Sequence, residues 1–394
     1  MRKERKKIFE IKTVQDGQHV DVFLIFVFIL IMVLLSVGSL LLPDREMSEN
    51  ENRYLTQAPK LSAGDILSGK FETQLEDYLS DQIIGRENWI KIMAGTLKDL
   101  RFKDVNGVYL MDGGRLAERL TQADFKMDRY IKNLKEIRNL REELDDTAIN
   151  VLLVPSAAYS YREEFNMSTN FNEKEALDTA RAELGDMYIE LDDKLMPETT
   201  ADGHKDYYFL TDHHWNYNGA ETAAREFRNR IGLEDRTWEP EELTRDFMGT
   251  LYSKVLLNER TRDVISVPED SLDARVKVTI EGEDHDSIYF MDRLEQKDKY
   301  EVFLGGNYDR VDIVNEDDSS KDKPTLLIVK DSYANSFVPF IINDFSKITL
   351  VDTRYYKQSV LDTAEDEGFD QVLILYSISN FSEEKMMLTE TMLQ

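Results

Sequence analysis

The stretch Thr325-Leu326-Leu327-Ile328-Val329-Lys330-Asp331-Ser332 carries the clearest fold signal in this chain. Its first five residues are almost wholly apolar, which is typical of a strand buried on both faces of a parallel sheet. The polar pair Asp331-Ser332 follows, and helical periodicity predicts a helix from about residue 335 to residue 345. A buried strand followed by a helix indicates an α/β fold, in which ligands bind at the carboxyl ends of the strands.

The same succession of helix and buried strand recurs along the chain. A helix predicted over about 127–144 precedes the apolar run Ala148–Val154, which Pro155 ends. We therefore expect one α/β domain with a mainly parallel sheet over residues 106–394. Further core strands are predicted at Met187–Leu191, Ile348–Val351 and Gln371–Leu375.

Residues 235–320 interrupt this pattern. The segments Val276–Ile280 and Ser287–Phe290 alternate polar and apolar positions or are rich in β-formers, which predicts antiparallel strands. We interpret residues 235–320 as a β-rich insertion on the sheet domain and not as a separate fold.

The composition limits the classes of function that are open to the chain. Its 394 residues, 41% of them hydrophobic, are sufficient for a large folded core. The formal net charge is −28 and no basic cluster is evident, so nucleic acid is not expected as a partner. The absence of cysteine excludes disulfides, thiolate catalysis and cysteine-ligated zinc.

Residues 22–42 predict a transmembrane helix, because 17 of these 21 residues are Leu, Ile, Val or Phe and none is charged. A helix of that length spans a bilayer core of roughly 30 Å. The preceding residues 1–21 carry six Lys or Arg, so the positive-inside rule predicts a basic cytoplasmic tail and an extracytoplasmic main domain. A cleaved signal peptide is the alternative, but its apolar core usually has about 7–15 residues and an Ala-x-Ala site should follow.

Residues 43–105 connect this helix to the main domain. A polar linker comes first, and two amphipathic helices follow, with Phe71 and Leu75 on the apolar face of one and Ile92 and Leu97 on that of the other. We expect these helices to pack on the main domain, since a free stalk, the alternative, would not need so wide an apolar face.

The histidines point to the chemistry. Three of the five lie within eleven residues, at His204, His213 and His214. Asp212 and His214 have the types and spacing with which a carboxylate orients an imidazole base. Ser332, between a buried strand and a helix, carries the hydroxyl that such a base would activate.

Each of these residues also has a purely structural interpretation. Asp-Ser before a helix is commonly an N-cap, so Ser332 alone does not indicate catalysis. The two adjacent histidines fit a pair of polar loop residues beside a packed Trp215. A metal site formed by His204, Asp212 and one adjacent histidine is a third alternative, but no fixed ligand spacing supports it, and we expect neither a metal nor another cofactor.

The motif Asp212-His213-His214-Trp215 matches the signature of the bacterial DHHW proteins, and the chain resembles the periplasmic alginate O-acetyltransferases of the SGNH-hydrolase type. Those enzymes carry an Asp-x-His-Trp motif upstream of a serine in a Gly-Asp-Ser-like turn. The resemblance, over roughly residues 50–385, implies a three-layer α/β/α fold. It also implies that Ser332 is the nucleophile, His214 the base and Asp212 the residue that orients it.

The chain departs from that family pattern in two ways. Lys330 stands where the turn usually has Gly, and the usual oxyanion-binding Gly and Asn have no evident counterparts. The asparagines considered for the oxyanion hole are Asn307, Asn335 and Asn380. The side chains considered for substrate binding, by stacking on sugar rings or by pairing with an acid, are Tyr333, Trp215, Tyr161 and Arg354.

The resemblance implies a membrane-anchored, extracytoplasmic serine O-acyltransferase that transfers acetyl to a cell-surface polysaccharide. It further implies a multispanning membrane acyltransferase as the partner that supplies the acyl group. Two alternatives stay open: a carbohydrate acetylesterase with the same triad, and a catalytically inactive surface protein that keeps the fold to bind glycan or an envelope partner. A short distance between Ser332 and His214 would favour the enzyme, whereas Lys330 filling the turn would favour the binding protein.

Overall fold

A long helix begins the chain. The computed structural model describes residues 2–144, 147–163, 171–200, 203–257, 260–386 and 388–389. Within this helix, Asp21–Leu41 has a mean hydropathy of 3.0 and is long and apolar enough to cross a membrane. The chain divides into two compact units, residues 1–93 and residues 94–394. The first contains α1 (Arg2–Leu41), β1 (Met47–Ser48), β2 (Arg53–Tyr54), α2 (Ala63–Leu67), α3 (Lys70–Gln82) and the start of α4 (Arg86–Asp99).

Polar contacts hold the first unit together after α1. The buried carboxylate of Asp81 accepts hydrogen bonds from the guanidinium of Arg53, at 2.5 and 2.9 Å, and from the backbone N–H of Thr56. The hydrogen bonds from Arg53 hold the pKa of Asp81 well below its usual value. At the end of α1, the hydroxyl of Ser39 accepts a hydrogen bond from the N–H of Ile84, so the helix end is tied to the turn before α4.

Apolar side chains on α3, on α4 and just after α4 are largely exposed. They are Leu79, Trp89, Ile92, Met93 and Leu100. The amphipathic pattern predicts that these helices pack on the main domain, and that packing, like the domain bounds, stays a prediction.

A seven-stranded mixed sheet forms the centre of the second unit. The strands of this unit are β3 (Asp104–Val105), β4 (Val108–Leu110), β5 (Leu116–Glu118), β6 (Ala148–Val154), β7 (Glu198–Thr200), β8 (Gly203–Lys205), β9 (Pro240–Phe247), β10 (Asp263–Pro268), β11 (Val276–Ile280), β12 (Glu283–His285), β13 (Arg310–Asn315), β14 (Thr325–Lys330), β15 (Lys347–Val351) and β16 (Gln371–Ser377). The order of the strands in the central sheet is β12-β11-β13-β15-β14-β16-β6. The run β15-β14-β16-β6 is parallel, as predicted, and Lys330 at the end of β14 pairs with Leu375 of β16.

Helices cover both faces of this sheet. Alternate residues of β14 enter different cores: Leu326 and Ile328 face one apolar cluster, and Leu327 and Val329 face the other. The predicted three-layer α/β/α architecture is therefore confirmed. The helices are α5 (Met127–Glu143), α6 (Ala157–Ser160), α7 (Glu173–Leu184), α8 (Tyr217–Arg230), α9 (Thr250–Val255), α10 (Glu269–Leu272), α11 (Tyr333–Ile341), α12 (Val360–Glu367) and α13 (Ile378–Glu383).

The predicted insertion extends the central sheet. Strands β11, β12 and β13 all pair antiparallel and lengthen the sheet beyond β15, while β9 and β10 form a separate two-stranded ribbon. The alternation in Val276–Ile280 has the pattern of an outer strand, with buried residues separated by more exposed ones. The β-rich character of the segment is confirmed, and the parallel part of the central sheet is confined to four strands.

Two predicted strands are wrong. The apolar run Met187–Leu191 follows a 3-10 turn and contributes only a parallel bridge between Tyr188 and Val151. Ser287–Phe290 likewise contributes only one bridge, between Tyr289 and Phe303. Most of the apolar side chains in these two segments are nevertheless buried. An apolar run shows that a segment is buried but does not show how many hydrogen bonds it makes to a neighbour.

Candidate active site

The turn between β14 and α11 presents Ser332. The carboxylate of Asp331 accepts the backbone N–H of Tyr333 at 2.9 Å, and its other oxygen accepts the N–H and hydroxyl of Ser377 and the amide of Asn380. Asp331 thereby caps the turn and ties β14 to the end of β16. The side chain of Ser332 makes no capping hydrogen bond, which contradicts the alternative that it is a simple N-cap.

The hydroxyl of Ser332 instead contacts the histidine motif. Its Oγ lies 2.8 Å from Nε2 of His214, whose Nδ1 lies 2.6 Å from Oδ1 of Asp212. The same Asp212 oxygen accepts the backbone N–H of His214 at 2.9 Å, so carboxylate and ring are fixed to each other locally. All three side chains are buried. The structure thus brings together the three residues that the sequence singled out, although 118 positions separate Ser332 from His214.

The segment Gly249-Thr250 supports the other side of Asp212. The N–H and hydroxyl of Thr250 donate to Oδ2 of Asp212 at 2.7 and 3.0 Å. Gly249 is required for this close approach, since a Cβ at that position would lie 2.2 Å from atoms of Asp212. Burial alone would raise the pKa of Asp212, but electrostatic interaction with His213 and His214 and hydrogen bonds from the ring and backbone N–H of His214 lower it, so the carboxylate is ionised.

Aromatic packing fixes the imidazole of His214. The ring of Tyr300 stacks on it with centroids 3.8 Å apart and planes 8° apart, and the Tyr300 hydroxyl donates to the carbonyl of Ser332 at 3.0 Å. The indole N–H of Trp215 donates to Ser336 on α11 at 2.9 Å, which ties the motif to the helix after the serine. Burial, together with the nearby charge of His213, lowers the pKa of His214 to about 4. The ring is therefore neutral near pH 7 and free to accept a proton.

Lys330 does not fill the space between Ser332 and His214. Its buried ammonium donates to the side-chain oxygens of Asn307 and Asn335, each at 2.8 Å, and burial lowers its pKa to about 8. The short distance between Ser332 and His214 and this position of Lys330 therefore favour an enzyme over a catalytically inactive binding protein.

The three asparagines considered for the oxyanion hole differ in their contacts. Asn335 donates its amide to the carbonyl of Gly306 and to Asn307, each at 3.2 Å, and Asn380 donates to Asp331. The amide of Asn335 is thus occupied twice, and the side-chain oxygen of Asn307 accepts hydrogen bonds from both Lys330 and Asn335. The oxyanion role of the three asparagines stays a prediction, against which the contacts of Asn335 and Asn380 weigh.

The aromatic residues considered for substrate binding have packing roles. Trp215 and Tyr161 are fully buried, and Tyr333 is nearly so, so none of these rings has a face on which a sugar could stack. Tyr161 donates its hydroxyl to Asp206 at 2.7 Å, and Tyr333 donates to the carbonyl of His213 at 2.5 Å. Their role in binding sugar stays a prediction, against which this burial weighs.

Arg354 has a carboxylate partner within the protein. Its guanidinium donates to both oxygens of the buried Asp352, at 2.8 and 2.5 Å, and lies 3.5 Å from Glu384. The carboxylate of Asp352 thus occupies the guanidinium N–H groups with which Arg354 would bind an acid group of a substrate. Its role as a substrate residue stays a prediction, against which these contacts weigh.

The acid and imidazole groups of the motif lie close enough together to be considered as metal ligands. Ligand atoms of Asp212, His213 and His214 lie within 4.8 Å of one another. Both ring nitrogens of His214 are already hydrogen-bonded, to Asp212 and Ser332, so coordination through His214 would break one of these bonds. His204, the further predicted ligand, lies instead 3.5 Å from Asp206. These residues fit proton transfer better than metal binding.

Comparison with known proteins confirms the predicted resemblance. The family model described as DHHW protein matches residues 180–351, a range that includes Asp212, His214 and Ser332. No curated protein matches the chain.

Solved structures share the fold. A DHHW family protein from Eubacterium siraeum is 22% identical and aligns over 71% of this chain and 94% of its own, with a TM-score of 0.57. Bacillus cereus PatB1, solved with a sulfonyl adduct, is 19% identical over 72% of this chain and 98% of its own, with a TM-score of 0.59. The O-acetyltransferase domain of Pseudomonas putida AlgJ is a weaker likeness, with a TM-score of 0.44 at 14% identity over 71% of this chain and 94% of its own. The SGNH-like fold is confirmed by the first two.

Proposed function

We propose that this chain, a DHHW-like protein with an SGNH-like fold, is a membrane-anchored serine O-acyltransferase that transfers acetyl to a cell-surface polysaccharide. The observation that carries the proposal is the continuous hydrogen bonding from Asp212 through His214 to Ser332. Such a chain converts a weakly nucleophilic hydroxyl into a nucleophile, because the imidazole takes its proton and the carboxylate stabilises the imidazolium that forms. The choice of acetyl, polysaccharide and transfer rests on the resemblance to alginate O-acetyltransferases.

In the first half-reaction, Oγ of Ser332 attacks the acetyl carbonyl of the donor while its proton passes to Nε2 of His214. The bond to the donor oxygen breaks, and that oxygen leaves with the proton from His214. In the second, an acceptor hydroxyl attacks the acetyl-Ser332 ester and gives its proton to His214, which returns it to Oγ. Each half is thus balanced in atoms and protons, and hydrolysis differs only in that water replaces the acceptor.

The negative charge of the tetrahedral intermediate needs donors beside Ser332. The backbone N–H of Ser332 precedes α11, whose N-terminal dipole favours an anion at this end. The side chain that we propose as a second donor is Asn307, whose oxygen is held by Lys330. Removing one such donor from an acyl-transfer enzyme lowers kcat by about 100- to 1,000-fold.

The location outside the cell rests on the first 42 residues. The apolar helix Asp21–Leu41 fits a membrane anchor, and the basic residues before it favour a cytoplasmic N-terminus. A membrane-bound acyltransferase that supplies the acetyl group across the membrane is the partner that this arrangement requires, because acetyl donors such as thioesters are made in the cytoplasm. No nucleic acid is part of this proposal.

The test uses the full chain in detergent with a chromogenic acetyl ester, with and without a soluble polysaccharide as acceptor. We expect release of the chromophore to depend on Ser332 and to drop to the uncatalysed rate in Ser332→Ala. The control is Ser68→Ala, which removes an exposed hydroxyl that donates to the carbonyl of Asp65 in the first unit. Equal rates for the wild type and Ser332→Ala under both conditions would contradict the proposal.

A further inference from the structure

His213 belongs to the motif but has no role in the proposed reaction. Its ring lies beside that of His214, with centroids 3.9 Å apart, while Tyr300 covers His214 at 3.8 Å. The His213 side chain is 28% exposed, compared with 6% for His214 and 1% for Asp212. His213 is therefore the motif residue that an incoming molecule reaches first. Tyr333 fixes its backbone through a hydrogen bond to its carbonyl.

The hydrogen bonds around Thr250 determine which nitrogen of His213 carries a proton. The Thr250 hydroxyl lies 3.0 Å from Oδ2 of Asp212 and 2.7 Å from Nδ1 of His213. An ionised carboxylate only accepts hydrogen bonds, so the single proton of the hydroxyl goes to Asp212. Nδ1 of His213 must then donate to Thr250. In the neutral ring this leaves Nε2 of His213 unprotonated, as an acceptor on the edge that faces away from Thr250.

We propose that Nε2 of His213 accepts a hydrogen bond from a second hydroxyl of the acceptor sugar, next to the hydroxyl that is acetylated. Two imidazoles then lie side by side with different tasks. His214 takes the proton of the reacting hydroxyl, because its Nε2 faces Oγ of Ser332. His213 holds the neighbouring hydroxyl, because its ring lies directly beside that of His214, with centroids 3.9 Å apart.

The acceptor class that follows is a vicinal diol. An alcohol with one hydroxyl forms a hydrogen bond to His214 alone. A diol forms hydrogen bonds to both rings and is held in the orientation for attack.

No covalent bond to His213 forms or breaks, so the residue acts by binding and orienting the acceptor. This inference rests on the proposed function, since it describes the second half-reaction of the same site. A water molecule has a single oxygen and cannot place one hydroxyl at each of the two rings. His213 therefore also favours transfer to a diol over hydrolysis.

The test compares two acceptors of similar size, 1,2-ethanediol and 2-methoxyethanol, in which a methyl group replaces the second hydroxyl proton. The full chain is supplied with a chromogenic acetyl ester, and the amount of acetylated product is measured for each acceptor. Each amount is divided by the number of free hydroxyls in the acceptor, which is two for the diol and one for the ether. The wild type should favour the diol by about 3- to 10-fold, the effect of one neutral hydrogen bond. In His213→Phe, which keeps an aromatic ring but no acceptor nitrogen, the ratio should fall to about 1.

Two controls separate binding from packing. His204→Phe changes a histidine that lies beside Asp206, outside the site, and should keep the wild-type ratio. His213→Gln, whose side-chain carbonyl can accept a hydrogen bond, should restore part of the preference. A wild-type ratio of 1, or a ratio unchanged in His213→Phe, overturns the role of His213 while the proposed function stands. Absence of any acetyl-Ser332 in the wild type overturns both.

A second measurement does not depend on activity. In the full chain labelled with ¹⁵N-histidine, the signal that His213→Phe removes should show a protonated Nδ1 and an unprotonated Nε2. Thr250→Val removes the hydroxyl that fixes this tautomer and should shift the signal. A protonated Nε2 in the neutral ring of the wild type would overturn the inference.

Discussion

At the scale of single residues, the burial of His214 has the clearest consequence. A base must be unprotonated to act, and both the apolar surroundings and the charge of His213 disfavour the protonated form of His214. The hydrogen bond to Asp212 acts in the opposite direction, yet the pKa of His214 remains lowered from 6.5 to about 4. The site is thus set for proton acceptance over most of the acidic range.

We expect the acid limb of the kcat/KM profile for ester cleavage to lie near pH 4, since activity is lost only as the pH falls through the pKa of His214. The same shift weakens folding in acid. The pKa of His214 is lower in the folded than in the unfolded protein. The contribution of this residue to the free energy of unfolding is therefore fully present above about pH 6.5 and is lost as the pH falls toward about 4.

The measurement is the initial rate between pH 3.5 and pH 8, corrected for spontaneous hydrolysis and paired with a circular-dichroism melt at each pH. An acid limb near pH 6.5 in protein that remains folded would show that His214 has an ordinary pKa.

Asp212, His214 and Ser332 are predictable from the sequence as one group because motif spacing and strand position both reflect local chemistry. Thr250 and Tyr300 are not predictable in this way, although Thr250 holds Asp212 and Tyr300 stacks on His214. Both lie in the segment 235–320, where no local pattern fixes the path of the chain. Contacts that depend on tertiary folding leave no periodic signal in a single sequence.

At the scale of elements, the site forms where three segments converge: the turn after β14, the motif before α8, and the start of α9. Asn216 caps α8 by accepting the N–H groups of Asn218 and Gly219, which fixes the motif directly before a rigid helix. Gly249 precedes α9 and brings its first N–H to Asp212. The approach of α9 to the motif therefore sets the position of the carboxylate.

Gly249→Ala should disrupt this approach. The added Cβ would lie 2.2 Å from Asp212, so the carboxylate or α9 must move. Overpacking of this kind destabilises a protein by about 1–3 kcal/mol, and we expect activity to fall with the loss of the Asp212 contact to His214. Urea unfolding and ester cleavage are measured together. Gly95→Ala, in α4 with open space around the added Cβ, is the matched control. Normal activity in Gly249→Ala would contradict this role of α9.

Elements buried on both faces are the most predictable, since β6, β14, β15 and β16 are rich in apolar residues along their length. The run Met187–Leu191 has a similar composition but forms only one bridge. Apolar composition reflects burial, whereas the pairing of strands also depends on partners that are distant in sequence. For the same reason, the pattern of β11 predicts a strand but does not predict that this strand extends the central sheet.

At the scale of the whole molecule, charge and hydropathy divide the chain into an apolar N-terminal helix, preceded by basic residues, and an acidic remainder. Both features are evident from the order of residue types alone, because they depend on local composition and not on tertiary contacts. Neither the packing of residues 43–105 on the main domain nor the orientation in the membrane follows from the fold, and both remain predictions.

The absence of cysteine makes the orientation directly testable. In intact cells, a membrane-impermeant maleimide should label Asp193→Cys, at an exposed position of the main domain, but not Lys3→Cys. Lys3→Cys should become labelled once the cells are permeabilised. Labelling of Lys3→Cys in intact cells, or of Asp193→Cys only after lysis, would contradict an extracytoplasmic main domain.

The central claim is that Ser332 is a nucleophile activated by His214 and Asp212. The most direct measurement is intact-protein and peptide mass spectrometry after treatment of the full chain with a sulfonyl fluoride, which sulfonylates activated serine hydroxyls. We predict one adduct, on Ser332, formed at least about 100-fold more slowly in Asp212→Asn because His214 then loses the partner that fixes its tautomer. An adduct on another residue, or equal rates in the wild type and Asp212→Asn, would contradict the account.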